Sequence, residues 1–274
     1  MSRIARALAR ATEALGASSD TPRLDAEVLM AAALGIGRDK LILSPPNVAA
    51  PEAFADMVER RRAGEPVAYI TGQRAFWTID LDVGPGVLIP RPDSETLIAA
   101  AVEHFSGTGG PARILDLGTG PGTLLLAALD EWPGATGVGI DASPVALSYA
   151  RLNAERLGLA GRATFQIGDW AEGLEGRFDL ILCNPPYVAT AAETGPGVAE
   201  YEPPEALFAG ADGLDDYRRL APQIGRLLAK DGLAAIEIGH DQADSAAALF
   251  VAGGHVPKLA RDLAGRPRAL LIKD

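Results

Sequence analysis

The apolar run 178–183 leads directly into Asn184-Pro185-Pro186-Tyr187, the residues of this chain whose types and order best fit a chemical task. Two prolines after a strand could simply end it, since neither can donate to a ladder or continue into a helix. A reaction at a planar nitrogen explains all four residues better. An amide or aromatic amine is a poor nucleophile because its lone pair is delocalised, so it must be held with that lone pair aimed at the electrophile. The Asn184 side-chain oxygen and the Pro185 carbonyl can each accept one N–H, the prolines stiffen the loop, and Tyr187 can pack against the planar group. Orientation of this kind is worth up to about 7–11 kcal/mol.

A ligand-binding edge precedes this tetrapeptide. Asp116-Leu117-Gly118-Thr119-Gly120-Pro121-Gly122 reads as a glycine-rich strand-to-helix turn, at the place where open α/β sheets bind ligands. Alone, such a turn could be only a backbone device that needs positive φ. Its G-x-G-x-G spacing, with Thr123 next, lacks the third glycine of the dinucleotide fingerprint, and the Gly-Lys-Ser/Thr ending of a P-loop is absent. The following strand ends in Gly139-Ile140-Asp141, a carboxylate placed either for ribose hydroxyls or to cap the helix that begins at Ser143-Pro144. The third ends in Gly168-Asp169-Trp170, an acid and a flat ring suited to an adenine amino group and an adenine face. Together these predict a nucleoside ligand without phosphates. S-adenosylmethionine fits, and Asp116 suits its ammonium group. No strong base is then needed at the tetrapeptide, because a nitrogen that has gained a methyl cation sheds its proton readily.

The surrounding pattern supplies the scaffold. Apolar strand candidates at 114–117, 138–140, 164–167, 178–183 and 233–238 alternate with helical stretches, which predicts an α/β domain with a parallel sheet. Residues 269–273 make a further strand after a Gly265-Arg266-Pro267 turn, expected at the sheet edge. Upstream, Ile4, Leu8, Ala11 and Leu15 recur at helical spacing before Gly16. The early arginines superficially resemble a targeting peptide, but this periodicity reads as a first domain helix. Thr21 and Pro22 begin a second helix with Leu24, Val28, Leu29 and Ala32 as its apolar face, and a further helix runs from Pro51 toward Gly64 over Phe54, Met57 and Val58. Arg60, Arg61 and Arg62 read as a solvated helix end. Alternation at Trp77, Ile79, Leu81 and Val83 predicts a strand that turns at Gly84-Pro85-Gly86 and pairs with Val87-Leu88-Ile89. The expected division is a helical domain at 1–72, a β-hairpin linker at 73–90 and the α/β domain at 91–274.

Charge and composition narrow the function. Residues 1–75 hold 10 basic and 9 acidic side chains, net +1, whereas the rest is net −12, which opposes direct nucleic-acid binding. One cysteine, Cys183, and three scattered histidines offer neither an internal disulfide nor zinc spacing, so a reducing, cytoplasmic setting and no metal are expected. No apolar run approaches the roughly 18 residues of a membrane span. No coiled-coil seam is present, which suggests a monomer.

The chain resembles the class I S-adenosylmethionine-dependent methyltransferases, and within them the HemK/PrmC family of release-factor glutamine methyltransferases. Beyond the turn and the tetrapeptide, the resemblance lies in Pro22-Arg23-Leu24-Asp25-Ala26-Glu27, Pro66-Val67-Ala68-Tyr69-Ile70-Thr71-Gly72 and Leu88-Ile89-Pro90-Arg91-Pro92-Asp93-Ser94-Glu95-Thr96. It continues in Tyr201-Glu202-Pro203-Pro204-Glu205-Ala206-Leu207 and Glu237-Ile238-Gly239, and so covers nearly the whole chain. It implies a Rossmann-like methyltransferase sheet joined by the hairpin to a small helical substrate-recognition domain. It implies methylation of the glutamine amide in the Gly-Gly-Gln loop of class-1 peptide chain release factors, a step in translation termination. Carried over by position, Gly118 to Gly122, Asp141, Trp170 and Asn184 contact the cofactor, and Asn184, Pro185, Pro186 and Tyr187 hold the glutamine. Pro121 departs from the small residue usual in the turn and removes one backbone donor. Arg91 either lines the pocket mouth or pairs with Glu95 or another acid. Rival readings are a DNA adenine-N6 methyltransferase, a methyltransferase for another protein's glutamine, and a non-catalytic cofactor-binding scaffold.

Overall fold

A computed structural model describes residues 2–273. Residues 1–73 with 194–201 form one unit, and 74–193 with 202–274 another. The first unit is built on helices α1 (Arg3–Leu15), α2 (Pro22–Leu34), α3 (Arg38–Leu43), α4 (Glu52–Arg62) and α5 (Val67–Thr71). Ser2 caps α1 by accepting the Ala5 N–H at 3.1 Å, and the helix buries Ile4, Leu8, Ala11 and Leu15 as its spacing predicts. The face of α2 differs from expectation. Leu24 and Ala32 are exposed, and Ala26, Leu29, Met30 and Ala31 lie inside with Asp25 and Glu27. Ion pairing rotates the helix this way, because both acids are matched. Glu27 accepts from Arg23 at 2.5 Å and Arg38 at 2.7 Å, and Asp25 accepts from Arg61 at 2.7 Å and Ser19 at 2.7 Å. Thr21 makes no side-chain cap; its hydroxyl donates to Asp25 instead. The arginine triple is likewise more than a solvated end, since Arg61 reaches Asp25 and Arg60 pairs with Glu65 at 2.5 Å.

The hairpin is set earlier than its alternation suggests. Strands β1 (Gln73–Phe76) and β2 (Ile79–Asp82) pair across a two-residue turn at Trp77 and Thr78, and 83–91 is irregular. Trp77 sits at φ 53°, a conformation that its own type disfavours. Three bonds hold it there: its N–H donates to Glu95 at 3.0 Å, its indole N–H to Glu131 at 3.0 Å, and the Thr78 hydroxyl to Asp130 at 2.6 Å.

The remaining elements are α6 (Glu95–His104), β3 (Arg113–Leu117), α7 (Thr123–Glu131), β4 (Thr136–Asp141), α8 (Pro144–Arg156), β5 (Ala163–Ile167), β6 (Phe178–Cys183), α9 (Val198–Tyr201), α10 (Asp215–Leu227), β7 (Leu228–Glu237), α11 (Ala243–Ala252), β8 (Lys258–Arg261) and β9 (Pro267–Lys273). The sheet order is β5-β4-β3-β6-β7-β9-β8, with the first five strands parallel. Period-two alternation sends Leu115, Leu117, Ile181 and Cys183 into the core against α10 and α11, while Asp116 points the other way, toward α7. The chain's end is not the sheet edge. β9 runs antiparallel between β7 and β8, and β8, which carries little apolar sequence, is the outer strand. Strand order reverses beside β3, with β4 on one flank and β6 on the other, so a crevice opens beyond their carboxyl ends. Among the described residues no helix is long and apolar enough to cross a membrane.

Candidate active site

The turn after β3 is built from left-handed glycines: Gly118 at φ 70°, Gly120 at 56° and Gly122 at 88°. Gly118 is required for close approach as well, since a Cβ there would lie 3.2 Å from the Trp170 ring. The turn uses its own amides. Gly118 and Thr119 N–H both donate to the Ile140 carbonyl at 2.9 Å, Gly122 to Thr119 at 2.9 Å, and Gly120 to the Asp141 carboxylate at 2.8 Å. None of these four is left to cradle a phosphate, and the missing donor at Pro121 interrupts no bond among them. Pro121 is fixed through its carbonyl, which accepts from Asn153 at 2.9 Å. Asn153, wholly buried in α8, also exchanges two bonds with the Asp82 backbone, tying the end of β2 to the turn.

Each carboxylate at this edge has a distinct setting. Asp116 is fully buried; its Oδ2 accepts from the Thr119 hydroxyl at 2.6 Å and the Leu125 N–H at 3.1 Å, and its Oδ1 has no hydrogen-bond partner among the described residues. Burial, reinforced by the charge of Asp141, pushes its pKa up to about 7 against those two bonds. Asp141 accepts from Ser143 N–H at 2.8 Å, but the helix cap is Ser143 itself, which accepts from Ala146. The capping role is therefore taken, and Asp141, raised in pKa by burial, lines the cavity. Asp169 is exposed and paired with Arg219, and the Trp170 indole donates to Asp216 at 3.2 Å. Asp216 and Arg219, both from α10, line the same cavity and were not anticipated.

At the end of β6, Asn184 donates through Nδ2 to the Ser94 hydroxyl at 3.2 Å, and its Oδ1 makes no hydrogen bond to the described residues. Tyr187 donates its O–H to Glu237 at 3.2 Å, and its carbonyl accepts from Gln242 at 3.0 Å. The loop is braced by Val188, which pairs with Phe208. Arg91 pairs with Glu202 at 2.5 Å, not with Glu95, and also lines the cavity. Glu202, only 3% exposed, further accepts the Ile89 N–H at 3.0 Å.

One cavity of about 590 Å³ gathers most of these groups. Asp116, Gly118, Thr119, Gly120, Pro121 and Asp141 form one wall; Asp169 and Trp170 another; Asn184, Pro186, Arg91 and Ser94 a third. Gly122, which caps α7, Pro185, which is buried, and Tyr187, which turns toward Glu237, do not line it. Ser94, Glu202 and Glu237 lie within the segments that carry the family resemblance, but no local pattern marks their roles.

The sheet and cavity define a class I methyltransferase fold. Solved structures with this fold include a ribosomal protein L11 methylase from Lactobacillus delbrueckii subsp. bulgaricus, at TM-score 0.51, 23% identity and coverage of 70% of this chain and 83% of that one. A methyltransferase from Pyrococcus furiosus aligns at TM-score 0.55 and 17% identity, over 80% of this chain and 98% of that one. Family profiles match a PrmC N-terminal domain at residues 6–72 and a methyltransferase domain at 110–248. The release factor glutamine methyltransferase of Rhodospirillum rubrum is 46% identical over 94% of this chain and 80% of its own length. Those of Caulobacter vibrioides (42%; 93% and 90%) and Moorella thermoacetica (40%; 97% and 96%) are similarly close. The chain belongs to the release factor glutamine methyltransferase family.

Proposed function

We propose that this protein transfers a methyl group from S-adenosylmethionine to the side-chain amide nitrogen of the glutamine in the Gly-Gly-Gln loop of class-1 peptide chain release factors. The observation that carries the reading is the pair of acceptors on one cavity that make no hydrogen bond to the described residues: Asn184 Oδ1 and the buried Asp116 Oδ1. The cofactor fits the residues present. An orphaned buried carboxylate oxygen suits an ammonium group, Asp141 suits ribose hydroxyls, and Trp170 beside Gly118 suits a flat base. When bound, S-adenosylmethionine supplies a methyl group on a positively charged sulfur, already activated for displacement.

The protein's part is positioning. Asn184 Oδ1 and the Pro185 carbonyl accept the two N–H groups of the glutamine amide, which turns its lone pair toward the methyl group. Pro186 and Tyr187 stiffen and wall the loop, and Arg91, held by Glu202, frames the mouth. The family relationship and the net charge of −12 over residues 76–274 favour a protein substrate over a polyanion. On this reading residues 1–72 recognise the release factor, 73–90 link, and 91–274 carry the chemistry of a monomeric, cytoplasmic enzyme. Exposed Leu43 and Ile42 in α3 give the helical part apolar surface for that contact.

The test is methyl transfer from S-adenosylmethionine to a purified release factor, with the product mapped by peptide mass spectrometry. A methyl group on the Gly-Gly-Gln glutamine is expected, with loss of about 10²-fold in rate for Asn184→Ala and retained cofactor binding. Transfer to DNA or to a different protein instead, or an unimpaired Asn184→Ala, overturns the reading.

A further inference from the structure

The loop that follows β5 carries Asp169 and Trp170, and one face of α10 holds it. Residues 216, 219, 223 and 226 recur at helical spacing and so form one stripe, beside Tyr217, Leu220 and Ile224, which are buried in the core. Each of the four bonds to the loop. Asp216 accepts the Trp170 indole N–H at 3.2 Å, and Arg219 pairs with Asp169. Gln223 accepts the Ala171 N–H at 3.1 Å through Oε1, while its Nε2 donates to the Arg219 carbonyl at 2.8 Å. Arg226 donates to the Ala171 carbonyl and, at 2.6 Å, to the Leu174 carbonyl. Asp216 and Arg219 also line the cavity; Gln223 and Arg226 do not.

Trp170 gives this stripe a purpose beyond closing a loop. Its backbone sits at φ 52°, in the left-handed region that a bulky side chain disfavours. The same loop enters that region again at Gly173, φ 67°, and Gly176, φ 101°, with the residue type that adopts it freely. A loop that only had to turn would carry glycine at 170 as well. The conformation instead brings the Trp170 ring against the turn after β3, where a Cβ on Gly118 would stand 3.2 Å from it. Such a backbone state persists only where its surroundings over-determine it. We propose that Asp216, Arg219, Gln223 and Arg226 are positioning residues that hold Trp170 in this conformation and so preset the wall that receives the flat base of the cofactor. The proposal rests on the S-adenosylmethionine reading above and deepens it. Released from the stripe, Trp170 relaxes toward ordinary φ values and its ring leaves Gly118. The cofactor then binds only the fraction of molecules whose wall is in place, so affinity falls by that fraction while the loaded site stays the same. The Asp169–Arg219 pair, about half exposed on both sides, contributes least to the hold. Gln223 and Arg226 grip backbone groups from outside the cavity, so their effect on the cofactor runs through the loop alone.

The experiment uses the full chain with Gln223→Met, which keeps the side chain's length but offers at best a weak acceptor, and with Arg226→Ala at an exposed position, each alone and combined with Trp170→Ala. Calorimetric titration reads the affinity for S-adenosylhomocysteine, hydrogen exchange reads the ligand-free loop at 168–177, and steady-state rates separate KM for S-adenosylmethionine from kcat. Each single variant is expected to weaken S-adenosylhomocysteine by about 3- to 10-fold, as loss of a hydrogen bond does. KM should rise by a similar factor with kcat at saturating cofactor within about twofold, and the loop amides should exchange faster. On the Trp170→Ala background the same substitutions should add almost nothing, because the ring through which they act is gone. General loosening of the fold would instead lower affinity in both backgrounds alike. Wild-type affinity in either variant, unchanged exchange of the loop, or losses that multiply with that of Trp170→Ala overturn the proposal. Arg226→Ala decides the matter even if Gln223→Met folds poorly. A wild-type chain that binds no S-adenosylhomocysteine overturns the underlying cofactor reading instead, and the exchange of the ligand-free loop still reports on the stripe, so the two failures are distinguishable.

Discussion

Asp116 illustrates how one side chain can be costly to the fold and useful to the site. It spends Oδ2 on Thr119 and Leu125 and leaves Oδ1 bare in a buried setting, an arrangement that is unfavourable until a cation arrives. Asp116→Asn should therefore stabilise the ligand-free protein above pH 7 while weakening S-adenosylmethionine by about 10- to 100-fold, since a hydrogen bond between charged groups is worth about 1.5–3 kcal/mol. Calorimetric titration beside a melting curve reads both effects; an unchanged affinity would remove Asp116 from the ammonium site. Position made residues such as Asp116, Asp141 and Asn184 legible in sequence, because acids and amides at successive strand ends converge on one edge. Ser94, Asn153 and Glu202 were illegible for a physical reason. Their partners lie far along the chain, as with Asn184 for Ser94, Asp82 for Asn153 and Arg91 for Glu202, and no local period encodes such pairs. Asn153 left one faint trace, a polar residue on the otherwise apolar face of Leu147, Ala150 and Ala154.

Elements that bury a continuous apolar run were readable, and those held by side-chain bonds or by backbone pairing alone were not. β3, β4, β6 and β7 follow their apolar runs, and β5 was read from its Phe165 and Ile167 although only Phe165 is buried. The hairpin shifted because three hydrogen bonds outweigh the strand preference of Trp77, and β8 was missed because Lys258-Leu259-Ala260-Arg261 is mostly exposed and held by its ladder with β9. The helical part shows the same rule in α2 and α4, where a charged residue acts as a core residue. Arg61 is 17% exposed and bonds to an Asp25 carboxylate that is 9% exposed, whereas Arg60 is 47% exposed. Arg61→Ala should cost about 2–3 kcal/mol, because Asp25 loses a charged partner while remaining inside. Arg60→Ala should cost less than about 1 kcal/mol, as exposed pairs do. Urea unfolding of the two variants followed by helical circular dichroism compares them, and equal losses would return the arginine triple to a solvated helix end.

For the molecule as a whole, the buried carboxyls set how stability and ligand binding respond to pH. Asp116 and Glu237 titrate near 7 in the folded protein against 3.8 and 4.5 when exposed, so between about pH 4.5 and 7 the folded state holds protons that the unfolded chain has released. Stability from these two groups is fully present below that window and is lost as pH rises through it. Glu27, lowered by its arginine partners, acts in the opposite sense, but only below its ordinary value of 4.5. The ligand-free melting temperature should accordingly fall between pH 5.5 and 8. S-adenosylhomocysteine, which carries the same ammonium group, should counter this fall by favouring ionised Asp116, with affinity rising by up to about tenfold per pH unit below 7. The melting-temperature increase it produces should thus be larger at pH 8 than at pH 6. Repulsion within the acidic domain cannot mimic this pattern, because carboxylates with ordinary pKa values near 4 are almost fully charged from pH 5.5 to 8. An increase independent of pH would mean that the ligand's cation lies away from Asp116, and would send the search for its partner to Asp141, Asp169, Glu205 and Asp216, the other acids lining the same cavity.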